Sequence, residues 1–143
     1  MFTDSAYRSI FRLAGVYNVA FGVWAGLFPS AFFDLFAMDA PRYPQIWQCL
    51  GMVIGLYGIL YWYAGTHLDR AFPIIGIGLA GKVLGPLGFL YATWTSDWPA
   101  RAFPLLVTND FVWWIPFAAF LLRERARVRT SPSDTPTGRD RTA

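Results

Sequence analysis

The chain has one lysine, one histidine and one cysteine among 143 residues, and only 15% of its residues are charged. A single cysteine, Cys49, excludes an intramolecular disulfide or a two-thiol redox centre, and a single histidine, His67, with no ligand partner nearby argues against metal or haem chemistry. No cofactor and no metal is therefore expected. The net charge of +3 comes largely from one arginine-rich stretch after residue 122, so nucleic-acid binding is not expected either.

What the chain has in excess is apolar surface. At 55% hydrophobic and 19% aromatic, it carries more than one soluble domain of this size can hide. Four apolar windows, about 9–28, 45–64, 72–94 and 103–122, each approach the roughly 20 residues that cross a bilayer as helix. The expected fold class is all-α: a bundle of four transmembrane helices over 1–122, with a short interfacial helix after the first span. That helix is the apolar run Ala31, Phe32, Phe33, Leu35 and Phe36, bounded by Pro29 and Pro41 and too short to cross. Residues 123–143 form a basic and then disordered cytoplasmic tail, since nothing beyond Thr130 is large and apolar.

The first window is longer than a signal-peptide core and no small-residue cleavage site follows it, so it is expected to be retained. Arg8 and Arg12 at its start, and Arg123, Arg125, Arg127 and Arg129 after the last span, put the N- and C-termini in the cytoplasm. Most aromatic anchors, Trp47, Tyr61, Trp62, Tyr63, Trp94 and Trp98, fall near span ends.

Glycines four apart, Gly22 with Gly26, Gly51 with Gly55 and Gly81 with Gly85, suggest close helix packing in lipid. Gly85-Pro86 predicts a kink one turn after Lys82, which frees backbone carbonyls that must find partners within the protein. The run G-I-G-L-A-G-K from Gly76 to Lys82 spells a dinucleotide fingerprint and nearly a phosphate loop. Both motifs need a strand-turn-helix setting that an uninterrupted apolar span cannot provide.

The only lysine, Lys82, stands in the middle of the third window, where an ionisable group costs about 2.5–3.5 kcal/mol to insert. With a rise of about 1.5 Å per residue, Asn18 of the first window and Asp110 of the fourth fall near the same depth, with Asn109 beside Asp110. Gln48 lies nearer the outer surface and could line a vestibule. These residues either form a polar pocket in the membrane or a salt bridge that only sets helix register. Trp113 and Trp114 follow Asp110 by three and four positions, on its face, and could wall a ligand site. Asp110 beside Lys82 could move a proton only if a substrate reaches both, and no catalytic residue is assigned.

Three segments carry a resemblance: Q-C-L-G-M-V-I-G-L-Y-G from Gln48 to Gly58, G-K-V-L-G-P-L-G-F from Gly81 to Phe89, and Asn109-Asp110 to Trp114. They look like those of small bacterial four-helix membrane proteins, and over residues 8–122 the chain is similar in size and layout to DoxX-like proteins. The resemblance implies the bacterial inner membrane and a role beside quinones or electron carriers. The lone cysteine gives no support to the peroxide-reductase label that some members of such families carry.

Lys82, Asp110, Asn109, Asn18, Trp113, Trp114 and Gln48 are thus the candidate ligand-binding residues, for a small lipid-soluble molecule that is quinone- or lipid-like. A non-catalytic accessory subunit of a membrane complex and a proton-coupled transporter acting as an oligomer are the alternatives.

Overall fold

A computed structural model describes residues 2–96 and 99–130; the tail predicted to be disordered from residue 131 onward lies outside the described residues. Helix α1 (Asp4–Leu27) begins where the Thr3 hydroxyl accepts from the Ala6 N–H, satisfying one of the donors that a helix start leaves free. The short α2 (Ala31–Leu35) follows, then α3 (Pro44–Thr66), with proline in its first turn where a missing N–H costs nothing. A 3₁₀ turn at Leu68–Arg70 leads into α4 (Ala71–Thr95). The last span is composite: α5 (Phe103–Leu106), a π-helical turn (Val107–Phe111) and α6 (Val112–Thr130).

The four long segments are each long and apolar enough to cross a membrane. Leu56, Leu84 and Ile115, near the middle of their spans, are 60%, 65% and 74% exposed. Such residues lie in hydrocarbon rather than water, and the chain is a multi-pass membrane protein built as an all-α, four-helix bundle.

The closest helix pair is α1 with α3, and its glycines are spaced by seven rather than four. A methyl group on Gly15 would sit 2.8 Å from the Gly58 carbonyl oxygen, and one on Gly22 would sit 2.6 Å from that of Gly51. Gly65, seven residues after Gly58, meets the Arg8 carbonyl oxygen in the same way at 2.9 Å. Two antiparallel helices that touch once every seven residues cross at a shallow angle and stay in contact along their length. The four-apart pairs predicted from sequence are only half engaged: Gly22 and Gly51 pack, whereas no described residue approaches the Cβ position of Gly26 or Gly81 within 4 Å.

The arginine-rich end of the bundle is solid. Tyr7 and Phe11 of α1, Tyr61 of α3, and Phe117 and Phe120 of α6 are buried, with edge-on rings 5.0 to 5.6 Å apart between Phe11, Phe117, Phe120 and their tyrosine neighbours. Tyr61 is thus a core residue, not the interfacial anchor its position near a span end implied. At the opposite end α2 folds back under the bundle, placing Phe32 4.4 Å and Phe33 5.3 Å from the Trp47 ring. Between this aromatic cap and the aromatic core the bundle is hollow.

Candidate functional site

The hollow consists of two adjoining cavities of about 350 and 300 Å³ that share Leu50, Ile54, Gly85, Asn109 and Asp110. Three polar residues at its wall, Asn18, Lys82 and Asp110, are each 5% exposed or less. Lys82 from α4 and Asp110 from the π turn face each other, Nζ to Oδ1, at 4.0 Å. Lys82 Nζ donates to the Asn109 backbone carbonyl, and the Asn109 amide donates to Asp110 Oδ1 at 3.0 Å. The ammonium also lies 6.0 Å from the ring centres of Tyr61, which lines the cavity, and of Trp113.

Local backbone irregularity builds this cluster. In the π turn the Val112 N–H reaches back to the Val107 carbonyl, so the following carbonyls are open to side chains. Trp113 Nε1 donates to the Thr108 carbonyl at 3.1 Å, and Lys82 takes that of Asn109. On the facing helix, Pro86 has no N–H for the carbonyl four residues earlier, which is that of Lys82. Trp114 Nε1 supplies the missing donor at 3.0 Å. Each helix therefore repairs the other's broken ladder, and both tryptophans have their N–H groups committed to backbone.

Other polar atoms are left open. Among the described residues Asn18 Oδ1, Asn109 Oδ1 and Trp47 Nε1 are buried without a hydrogen-bond partner, and all three residues line one or other cavity. Asn18 makes no side-chain hydrogen bond with any described residue, although it is 4% exposed. Its neighbour Tyr17 donates to Thr108 Oγ1 at 3.2 Å, which ties α1 to the turn that carries Asp110.

Lys82, Asp110, Asn109, Asn18, Trp113 and Trp114 thus come together, the two tryptophans through their indole N–H groups rather than as the cavity wall the sequence suggested. Gln48 does not join them. Its amide donates to the Gly26 carbonyl at 2.7 Å, satisfying one of the orphan acceptors at the end of α1. Among the described residues no three His, Cys, Asp or Glu side chains gather as a metal site.

A second polar cluster escaped the sequence reading. Arg123, one of the charges used to orient the chain, is 6% exposed and lies 4.4 Å from the Tyr7 ring centre. It pairs with Asp4 at 2.5 Å and Glu124 at 3.0 Å, with Arg127 3.7 Å from Asp4. This network locks the start of α1 to α6. The available signal was its position, three residues after the buried Phe120, on the same helix face.

Compared with protein-family models, curated proteins and solved structures, the chain matches none.

Proposed function

We propose that this membrane protein holds a small lipid-soluble molecule, quinone- or lipid-like, in the intramembrane cavity. Lys82, Asp110, Asn109 and Asn18 would receive its polar head, beside the Tyr61 ring. The observation that carries this reading is Asn18: a buried amide facing a cavity without a hydrogen-bond partner among the described residues. A purely architectural ion pair does not call for such a residue. An unsatisfied buried polar group costs about 1–3 kcal/mol, which a bound polar head would recover. The cavity that these residues line, about 300 Å³, and the adjoining one of about 350 Å³ are in the range of small-molecule sites. The arginines after Leu122 favour a cytoplasmic position for both termini, in a bacterial inner membrane.

The test is native mass spectrometry with organic extraction, on the wild type and on the Lys82→Met, Asp110→Leu double variant. The reading predicts a small molecule retained by the wild type and lost from an equally folded variant. If both are folded and empty, the cluster only holds helices together.

A further inference from the structure

We infer that the ligand is an uncharged amphiphile whose head carries a hydroxyl group and whose apolar chain leaves sideways, between α3 and α4, into the bilayer. This rests on the binding reading above and adds to it the chemistry of the head and the route of entry.

The absence of charge follows from the pair itself. Lys82 and Asp110 lie 4.0 Å apart with side chains 6% exposed, so their charges compensate each other in a medium with little else to do so. A charged head would neutralise one and leave the other without its counter-ion.

The hydroxyl follows from a donor and acceptor count. Lys82 has three N–H donors and gives one to the Asn109 carbonyl. Facing it are more acceptors than it can serve. Asn109 Oδ1 points away from the carboxylate because the amide nitrogen is bound to Asp110, and it has no partner among the described residues. Asn18 Oδ1 is equally without one. Asp110 Oδ2 lies 3.5 Å from the Cβ position of Gly85, at the cavity wall. A ketone or ether oxygen only accepts, so it would serve the N–H groups of Lys82 or Asn18 and leave these oxygens bare. A hydroxyl accepts from the ammonium and donates to one of these oxygens, so it satisfies both sides.

The route follows from what bounds the hollow. Tyr61 bounds it towards the arginine-rich end, and Phe32 with Trp47 bounds it towards the other. On the α3–α4 side the lining residues are themselves exposed: Leu50 is 47% exposed, Val53 49%, and Gly81, Gly85 and Gly88 are exposed too. Among the described residues nothing lies within 4 Å of the Cβ position of Gly81 or Gly88. Exposure at mid-span means contact with lipid, so these glycines hold open a doorway rather than pack against a helix. The buried, partnerless amide of Asn18 marks the inner end of the path that the doorway opens.

The experiment uses the full chain in proteoliposomes and a long-chain primary alcohol carrying a diazirine, photolysed and mapped by peptide mass spectrometry. The expected result is labelling on α3 and α4, displaced about tenfold more effectively by the unmodified alcohol than by its methyl ether of equal length. Gly81→Leu with Gly88→Leu, which obstructs the doorway without touching a polar residue, should lower labelling at least about tenfold. Gly26→Leu, also at an open Cβ position but on α1, should label as wild type. Should the doubly substituted chain fail to fold, Gly85→Ala places one methyl at van der Waals distance from Asp110 and should lower labelling in the same direction. Equal competition by alcohol and ether overturns the hydroxyl. Wild-type labelling in folded doorway variants overturns the route. Either result leaves the binding reading standing, whereas that reading itself fails if the folded wild type is as empty as the Lys82→Met, Asp110→Leu variant on native mass spectrometry with organic extraction.

Discussion

Replacing Trp114 with phenylalanine should destabilise the protein by an amount that depends on residue 86. In an unbroken helix the Lys82 carbonyl would accept from the N–H of residue 86, but Pro86 has none, and Trp114 Nε1 takes its place at 3.0 Å. Phenylalanine keeps most of the ring packing and deletes only the donor. Interhelical hydrogen bonds in membranes average about 0.6 kcal/mol, with a maximum near 1.7, and a buried carbonyl left bare costs about 1–3 kcal/mol. A loss of about 1–2 kcal/mol is expected for Trp114→Phe in the native background. Pro86→Ala returns a backbone N–H to the same carbonyl, so in that background the loss should fall to about 0.5 kcal/mol or less. The coupling, on the order of 1 kcal/mol, exceeds the roughly 0.3–0.5 kcal/mol scatter of independent sites. Reversible unfolding in mixed micelles, followed by far-ultraviolet circular dichroism for the four proteins of the cycle, measures it. Equal losses in the native and the Pro86→Ala backgrounds would refute the repair of one helix by the other.

Three further outcomes can be read by the same unfolding assay. Lys82→Met alone leaves Asp110 as an uncompensated buried carboxylate and should cost about 3–5 kcal/mol, whereas Lys82→Met with Asp110→Leu should fall within about 1 kcal/mol of wild type; a double variant as damaged as the single one would contradict this. Gly15→Ala should destabilise the bundle by about 1–3 kcal/mol despite the better helix propensity of alanine, because its methyl would meet the Gly58 carbonyl at 2.8 Å, while Gly88→Ala, with nothing nearby, should not destabilise it. Ala37 has φ 45° just past α2, where the Met38 N–H reaches the Phe33 carbonyl and the Ala37 N–H that of Asp34; this helix-ending turn favours glycine, and Ala37→Gly should stabilise by about 1 kcal/mol.

Long-range features were legible where they depend on one strong signal. Hydropathy over about 20 residues locates a membrane span whatever surrounds it, and a rise of about 1.5 Å per residue is enough to place Asn18, Lys82 and Asp110 at one depth. The repair of Pro86 was half visible, since a proline announces a free carbonyl but not which side chain will reach it. Trp114 read as ligand wall for that reason. The π turn left no trace, because T-N-D-F has the same periodicity as any helical stretch. Glycine spacing misled through the choice of period: pairs four apart drew attention, while Gly15 with Gly22 and Gly51 with Gly58 and Gly65 repeat every seven. Gln48 was judged by its depth alone and Arg123 by its place among the charges after the last span. Neither says anything of the chain that passes beside a residue, which is how Gln48 came to cap α1 and Arg123 to hold Asp4.

Because Lys82 is the only lysine, ¹⁵N-lysine labelling gives one side-chain signal from the whole protein. The most direct measurement of the polar cluster is solid-state NMR in bilayers, recoupling that nitrogen to aspartate side-chain ¹³C. The Lys82–Asp110 separation predicts clear dipolar dephasing in the wild type and its loss in Asp110→Asn. Absence of dephasing in the wild type, or its persistence in Asp110→Asn, would contradict a site built on Lys82 and Asp110.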